Sequence, residues 1–271
     1  MKTLYVSDLD ETLLRSDETL SPFTVKALNR LIDGGIHFSY ATARSYHTAS
    51  QVTRGLSPKL PLIVYNGTFI LENGTQRQLL SNLFRAEETN RILDRLLAAD
   101  VFPIVHVFLD GVEKFSYCKD KISPAQQKFL NRRIGDPREN PVTDPQALYR
   151  GDAFCIACMD TPEKLRPLYD AMQGEFACNY FRDGYTDEQW LELNPVSATK
   201  ANAILSLKEM LGCERIVCFG NGNNDVSMFR IADECYAVSN AVLALKEIAT
   251  DVIGSNDEDG VAKWLLENVK L

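Results

Sequence analysis

The chain has 271 residues, of which 45% are hydrophobic, and its 37 acidic and 29 basic side chains give a formal net charge of −8. This length suits a globular protein with one large domain or two modest ones. The net negative charge, together with the absence of a long run of like-charged residues, argues against a surface that binds nucleic acid or an anionic membrane. The N-terminal apolar run ends at Asp8, and no stretch reaches the roughly 18 apolar residues of a membrane span. The seven cysteines lack the dense spacing of a disulfide scaffold, so we expect a cytoplasmic protein.

The beginning of the chain alternates predicted strands with predicted helices. Thr3–Val6 and Ile36–Ala41 are apolar strands, and a helix begins after the N-cap residue Ser21. A third strand over Leu62–Tyr65 ends at Asn66–Gly67. This alternation predicts a parallel sheet with helices on its faces.

The pattern changes between residues 83 and 189. After a helix, two strands are predicted over Pro103–Leu109 and Val112–Cys118, around a tight turn. A proline-rich connection then runs from Asp136 to Pro145, and two later strands flank Arg182–Gly184. Strands and helices in this order predict a separate α+β module inserted into the first domain.

The alternating pattern resumes in the last part of the chain. Thr199–Lys200 opens a helix, and the strand Ile216–Phe219 runs directly into Gly220–Asp225. The overall prediction is an α/β protein with a discontinuous core of residues 1–82 and 190–271 and an inserted domain of residues 83–189.

Polar side chains follow several of the predicted core strands. Asp8 and Asp10 follow the first strand, Thr42 follows the second, and Asp225 and Lys200 lie near other strand ends. Because the carboxyl ends of parallel strands meet at one edge of a sheet, we expect these side chains to lie together. Each has an ordinary alternative: the acids as turn residues, Thr42 as a helix cap, Lys200 as a solvated charge. Only their joint position favours a site.

The residue types are those that phosphoryl transfer requires. A carboxylate such as Asp8 can attack a phosphoryl group only if a divalent cation cancels their repulsion, and Mg²⁺ prefers oxygen ligands. Asp10 can protonate the leaving oxygen and then deprotonate the water that cleaves the aspartyl-phosphate. Lys200, the Thr42 hydroxyl and loop N–H groups can hold the transferring group in line.

Other motifs in the chain do not develop into sites. Cys155 and Cys158 have C-x-x-C spacing but lie in a predicted strand, where alternation puts the two thiols on opposite faces, so we expect them to pack in a core. The sequence Gly220-x-Gly222 lacks the third glycine of a dinucleotide fingerprint, because Asp225 stands in its place.

These residues resemble the motifs of the haloacid dehalogenase superfamily, in particular its Cof-type branch with a large inserted cap. The similar segments are Asp8–Leu14, Ala41–Ser45, Asn66–Gly67, Lys200, Gly220–Asp225 with Met228, Ser239–Ala241 with Lys246, and Asn256–Ala262.

The resemblance implies a Rossmann-like parallel-sheet core and an α+β cap over residues 83–189. It also implies a magnesium-dependent phosphoric monoester hydrolase that acts on small phosphorylated metabolites such as sugar phosphates. Asp8 would be the nucleophile and Asp10 the general acid and base. The implied phosphate- and substrate-binding residues are Leu9, Thr42, Ala43, Arg44, Lys200 and Asn224. The implied magnesium ligands are Asp8, Asp10, Asn221 and Asp225.

One departure from the family pattern leaves two alternatives open. The family usually has aspartate directly after the glycine of its fourth motif, and this chain has Asn221, whose neutral amide weakens the hold on a cation. A weakly active protein that binds phosphorylated ligands is therefore one alternative, and a phosphomutase on the same core is the other. In the insert, Arg182, Tyr185 and His106 are polar or aromatic enough to contact a substrate, but we expect surface or turn positions for them.

Overall fold

A computed structural model describes residues 1–183 and 187–270. Tyr185 and the predicted turn residue Gly184 lie outside the described residues. The chain divides into two compact units, one of Met1–Ser81 with Ala198–Leu271 and one of Asn82–Ser197. In the part of the chain that is described, no helix is both long and apolar enough to cross a membrane.

The secondary structure follows in chain order. The strands are β1 (Thr3–Ser7), β2 (His37–Tyr40), β3 (Leu62–Val64), β4 (Phe69–Leu71), β5 (Gln78–Ser81), β6 (Ile104–Leu109), β7 (Val112–Cys118), β8 (Glu139–Val142), β9 (Asp152–Met159), β10 (Ala177–Arg182), β11 (Gln189–Asn194), β12 (Arg215–Gly220), β13 (Glu234–Val238) and β14 (Asp251–Ile253). The helices are α1 (Pro22–Asp33), α2 (Tyr46–Val52), α3 (Ala86–Ala98), α4 (Pro124–Asn131), α5 (Pro162–Met172), α6 (Lys200–Leu211), α7 (Val226–Phe229), α8 (Leu243–Lys246) and α9 (Gly260–Asn268).

A parallel sheet forms the centre of the first unit. Its strand order is β14-β13-β12-β1-β2, and every neighbouring pair is parallel. Strand β1 therefore has a hydrogen-bonded partner on each side, and its carboxyl end lies beside the ends of β2 and β12. The sheet confirms the predicted α/β fold with a Rossmann-like parallel core.

The third predicted strand does not join this sheet as a full member. A parallel bridge between Ala41 and Ile63 connects it to the end of β2, and β3 pairs with β4 and β5 in an antiparallel sheet. The chain reverses because Asn66 and Gly67 adopt left-handed backbone angles, with φ of 53° and 98°. Strands β4 and β5 are short, follow directly after this turn and were not predicted from the sequence.

Apolar helix faces cover the parallel sheet. Helix α1 begins at its predicted N-cap, where the Ser21 hydroxyl accepts a hydrogen bond from the Thr24 N–H, and it buries Leu28 and Leu31. Each leucine buried in this way contributes roughly 1.5–3 kcal/mol relative to an exposed one. Helix α1 also packs against α9, so the two ends of the chain share one core.

The turn after β3 approaches the start of α6 very closely. A Cβ atom built on Gly67 would lie 2.1 Å from the Thr199 carbonyl oxygen. Thr199 is the N-cap of α6, and its hydroxyl accepts a hydrogen bond from the Asn202 N–H. Contact between these two backbones fixes the position of Lys200, the first residue of α6.

The second unit is a sheet with helices on both faces. Its strand order is β10-β11-β9-β6-β7-β8. Helices α3 and α5 pack on one face through residues such as Leu93 and Leu165, whereas α4 packs on the other face through Phe129. Cys155 and Cys158 are both buried in β9, and Cys158 belongs to the core under α3 and α5.

The second unit differs from the sequence prediction at its carboxyl-terminal boundary and at one strand. The unit runs to Ser197 and not to 189, because β11 pairs with β9 and β10 and so belongs to this sheet. Strand β8 lies inside the predicted proline-rich connection. Pro141 is tolerated there because β8 is at the edge of the sheet, where a missing N–H costs little.

His106 is a half-buried residue of β6. Its ring lies 6.2 Å from the Phe115 ring and 6.0 Å from the Phe154 ring, measured between centroids. Burial lowers its pKa to about 3, and the positive charges of Arg133 and Arg138 act in the same direction. His106 is therefore neutral at physiological pH.

We expect Gly67→Ala to destabilise the protein by about 3 kcal/mol or more, because the new methyl group meets the Thr199 backbone and alanine disfavours positive φ. Denaturant unfolding would measure the loss. Gly74→Ala is the matched control, since Gly74 also has positive φ but open space around it. Equal losses for both variants would contradict the proposed backbone contact.

We expect His106 to make stability fall as the pH drops below about 6.5. Between this pH and about 3, the unfolded imidazole binds a proton that the folded one does not, so the loss reaches at most about 1.4 kcal/mol per pH unit. Unfolding curves of the native chain and of His106→Gln from pH 7 to pH 4 would separate this contribution from that of the carboxyl groups. The same pH dependence of the unfolding free energy in both proteins would contradict the contribution of His106.

Candidate active site

The first acidic residue of the site lies directly after the central strand β1. The Asp8 N–H donates to the Phe219 carbonyl at 2.9 Å, which continues the pairing of β1 with β12. Asp8 is only 4% exposed. The tight turn Leu9–Leu13 follows, closed by a 2.8 Å hydrogen bond from the Leu14 N–H to the Leu9 carbonyl.

Lys200 lies between two buried carboxylates. Its Nζ atom donates to Asp8 Oδ1 at 2.6 Å and to Asp225 Oδ1 at 2.7 Å. Lys200 is 1% exposed and Asp225 is 0% exposed. Three strand or helix ends that are far apart in the sequence thus meet in one hydrogen-bonded group, which we call the Asp8–Lys200–Asp225 triad.

Burial and charge shift the protonation of this triad. Burial raises the pKa of Asp8 to about 7, and the nearby Asp225 charge adds to this effect, while Lys200 opposes it. Burial also disfavours the charged Lys200, but Asp225 and Asp8 outweigh it and raise the pKa of the ammonium group. With both acids ionised the triad carries a net negative charge, so a further cation or proton is favoured there.

The loop after β12 holds the remote end of the triad. Asp225 Oδ2 accepts hydrogen bonds from the N–H groups of Asn221 and Gly222, both at 2.9 Å. Gly220 is required for this closure, because a Cβ atom there would lie 2.7 Å from Asp225 Oδ2. The carboxylate of Asp225 therefore fixes the loop and Lys200 at the same time.

The loop after β2 brings a second group of charges to this edge. Thr42 is fully buried, and its hydroxyl accepts a hydrogen bond from the Arg44 N–H at 3.1 Å. Ala43 between them is exposed. The Arg44 guanidinium donates to both oxygens of Asp10 and to Glu18 Oε2.

The family resemblance implied that Arg44 binds phosphate or substrate. In the structure its charge faces two carboxylates, so we propose a different role for it below. Burial works against the charged guanidinium, but the hydrogen bonds with Asp10 and Glu18 raise the pKa of Arg44.

Asn221 and Asn224, both in the loop after β12, have separate partners. Asn221 Oδ1 accepts a hydrogen bond from the Thr12 hydroxyl at 3.0 Å, and its Nδ2 lies 3.3 Å from Glu11 Oε2. Asn224 is exposed, and its Nδ2 lies 3.4 Å from Asn66 Oδ1. Asn221 thus contacts the turn after Asp8, whereas Asn224 contacts the turn after β3.

Several residues of this site were not predicted from the sequence. No sequence pattern pointed to Glu18 as a site residue, because it lies in a polar turn well after Asp10. Glu11 and Thr12 stood next to the two acids, but nothing linked them to Asn221. Asn240 was named only as part of the Ser239–Ala241 segment, without a role. Its Nδ2 donates a hydrogen bond to the Glu11 carbonyl at 2.8 Å and so stabilises the turn Leu9–Leu13.

The oxygen donors of the site suit a hard divalent cation. The carboxylates of Asp8 and Asp225 and the amide oxygen of Asn221 are ligand types that Mg²⁺ accepts, and the triad is short of positive charge. Both oxygens of Asp225 already accept hydrogen bonds, and the Asp10 carboxylate faces Arg44. Among the described residues, no group of three or more His, Cys, Asp or Glu side chains is arranged to hold a metal ion. The predicted ligand set stays a prediction.

We expect Lys200→Met to cost about 3–5 kcal/mol of unfolding free energy, because it leaves two buried carboxylates without a cation between them. Denaturant unfolding would measure this loss. The control Lys26→Met removes an exposed lysine from α1 and is expected to change stability by less than about 0.5 kcal/mol. A loss below about 1 kcal/mol for Lys200→Met would contradict the burial of an ionised triad.

Comparison with known proteins identifies the group to which this architecture belongs. The profile of the haloacid dehalogenase-like hydrolases matches residues 5–265. The 5-amino-6-(5-phospho-D-ribitylamino)uracil phosphatase YitU of Bacillus subtilis is 24% identical, over 99% of this chain and 98% of its own length. The HMP-PP phosphatase of Serratia proteamaculans is 25% identical, over 98% of this chain and 94% of its own length.

A solved structure shows the same fold. TM0651 from Thermotoga maritima superposes with a TM-score of 0.81 at 22% sequence identity, over 100% of this chain and 98% of the other. The family and the fold class predicted from the motifs are both confirmed. The chain belongs to the haloacid dehalogenase-like hydrolases.

Proposed function

We propose that the protein is a magnesium-dependent phosphatase that hydrolyses small phosphorylated metabolites through an aspartyl-phosphate on Asp8. The observation that carries this proposal is the buried Asp8 carboxylate at the end of β1, held by Lys200 at 2.6 Å. The predicted enzyme class, a phosphoric monoester hydrolase, agrees with the names of the curated relatives, which cover nearly the whole chain.

The first step forms the aspartyl-phosphate. A carboxylate oxygen of Asp8 attacks the phosphorus atom, and the bond between phosphorus and the ester oxygen breaks with its electron pair on that oxygen. Protonated Asp10 gives its proton to the same oxygen, so the leaving group departs as a neutral alcohol. This step leaves Asp8 phosphorylated and Asp10 ionised.

The second step regenerates the enzyme. Asp10 now takes a proton from a water molecule, whose oxygen attacks the phosphorus atom of the aspartyl-phosphate. The bond between phosphorus and the Asp8 oxygen breaks, and inorganic phosphate is released while Asp8 returns to its ionised form. One carboxyl group thus serves first as acid and then as base.

Positive charge and hydrogen-bond donors near Asp8 support these steps. Lys200 orients Asp8 and supplies a fixed positive charge beside the reacting group, while Thr42 and the backbone N–H groups of Leu9 and Ala43 are proposed to hold phosphate oxygens. When bound, magnesium supplies the further positive charge that offsets repulsion between Asp8 and the phosphoryl group. Asp8, Asn221 and Asp225 are proposed to hold it with their side chains, and Asp10 with its backbone carbonyl oxygen, because the Asp10 carboxyl group faces Arg44.

The substrate class is proposed from the chemistry of the relatives. YitU is named for a phosphorylated ribitylamino-uracil compound and the Serratia relative for HMP-PP, so the substrates in these two names differ. We propose sugar phosphates as the substrates. A cytoplasmic location agrees with the cysteine pattern and stays a prediction.

Asn221 favours a second candidate, a weakly active binder of phosphorylated ligands. Its amide provides a neutral oxygen where the family usually has a carboxylate, and loss of one negative charge weakens cation binding. The Asn221→Asp variant distinguishes the two candidates, because it restores that charge without a change of side-chain size.

We expect the native chain to release phosphate from a panel of sugar phosphates in the presence of Mg²⁺ and to lose this activity with EDTA. Asp8→Asn should lower kcat by at least about 10³-fold, because an amide cannot act as the nucleophile. Asn221→Asp should tighten Mg²⁺ binding about tenfold, which isothermal calorimetry would measure without substrate.

Three outcomes would change the proposal. If neither the native chain nor Asn221→Asp turns over any substrate while a sugar phosphate still binds, the protein is a binder. Unchanged turnover by Asp8→Asn would exclude the aspartyl-phosphate. Transfer of the phosphoryl group to a second hydroxyl of the sugar, without release of phosphate, would identify a phosphomutase.

A further inference from the structure

Asp10 is held by a guanidinium group that contacts both of its carboxylate oxygens. Arg44 Nε lies 3.0 Å from Asp10 Oδ1 and 3.0 Å from Asp10 Oδ2, and Arg44 Nη2 lies 2.5 Å from Asp10 Oδ1. A planar guanidinium in this arrangement fixes the plane and the direction of the carboxyl group, which a single hydrogen bond cannot do.

Glu18 holds the other side of the same guanidinium. Its Oε2 atom lies 2.7 Å from Arg44 Nη2. The side chains of Arg44, Asp10 and Glu18 are 16%, 28% and 26% exposed, so the ion pairs are only partly screened by water. Arg44 is thus fixed between two carboxylates, one of which belongs to the proposed catalytic acid.

The backbone at Glu18 and at Arg44 has a defined conformation, which sets where both side chains begin. Arg44 donates its N–H to Thr42, and its carbonyl accepts a hydrogen bond from the Tyr65 N–H at 3.0 Å. Glu18 adopts a left-handed conformation with φ of 62°, which costs stability for any residue with a Cβ atom. A glycine would adopt this conformation at lower cost, so a glutamate here points to a use for its side chain.

We propose that Glu18 is a positioning residue for the reaction: through Arg44 it aligns the Asp10 carboxyl group for proton transfer to the leaving oxygen. This inference rests on the proposed function, in which Asp10 is the general acid and base. Arg44 is accordingly part of the same positioning device and does not act as a clamp on the substrate.

The chemistry of the leaving group provides a sharp test. A sugar leaves as an alcohol and needs the proton from Asp10, whereas p-nitrophenolate is stable as an anion and needs none. The ratio kcat/KM reports the steps up to and including formation of the aspartyl-phosphate. A misaligned Asp10 must therefore lower kcat/KM for a sugar phosphate and spare kcat/KM for p-nitrophenyl phosphate.

The experiment measures kcat/KM of Glu18→Gln with ribose 5-phosphate and with p-nitrophenyl phosphate. We expect a loss of about tenfold for the first and less than twofold for the second. Glu18→Asp, which keeps the charge on a shorter side chain, should recover part of the loss. Glu72→Gln is the matched control, because Glu72 forms an exposed ion pair with Arg77 at 3.0 Å in the same unit.

A second variant separates positioning from stability. Glu18→Gly removes the carboxylate but relieves the left-handed backbone, so its Tm should equal or exceed that of the native chain. Its kcat/KM with ribose 5-phosphate should fall as it does for Glu18→Gln. A role limited to stabilising the fold would instead lower Tm and affect both substrates equally.

Each result bears on a separate claim. Equal losses for the two substrates, or no loss with either one, overturn the positioning role of Glu18 while the native activity stands. No turnover of either substrate by the native chain overturns the proposed function and this inference together. Loss confined to ribose 5-phosphate, with Tm preserved in Glu18→Gly, supports the inference.

Discussion

The site depends on one electrostatic constraint, the burial of two carboxylates around a single ammonium group. Asp8 and Asp225 come from the ends of neighbouring strands, and their repulsion in a buried site would cost several kcal/mol without Lys200. Lys200 can reach both only because α6 begins at this edge of the sheet. The triad thus links stability to function, because the Lys200 ammonium group that holds Asp8 and Asp225 together also orients Asp8, the proposed nucleophile.

Backbone positions that exclude a Cβ atom make this arrangement possible. Gly67 lets the turn after β3 touch Thr199, and Gly220 leaves room for the Asp225 carboxylate. Both contacts are made by the segments that carry or support the triad. A glycine loses more conformational entropy on folding than other residues, but a side chain at these positions would displace the charged groups.

The sequence indicated the elements of the core and the residues of the triad, because hydrophobic periodicity and strand-end chemistry are local signals. The sequence could not indicate which side chains contact one another in the folded protein. Glu18 and Arg44 are far apart along the chain, and only the folded backbone brings their charges together. The reversal after β3 was missed although Asn66–Gly67 is a typical turn pair, because the alternation of strands and helices assigned this strand to the parallel sheet. The strand β8 was missed because Pro141 normally argues against a strand, and its edge position is a property of the complete sheet.

The central claim is that Asp8 forms a covalent bond to the phosphoryl group. Rapid acid quenching of the native chain during turnover of a sugar phosphate, followed by peptide mass spectrometry, tests it most directly. We expect one additional phosphoryl group on the peptide that contains Asp8, sensitive to hydroxylamine and absent from Asp8→Asn. Phosphate release without any labelled peptide, or a label on another residue, would contradict the account.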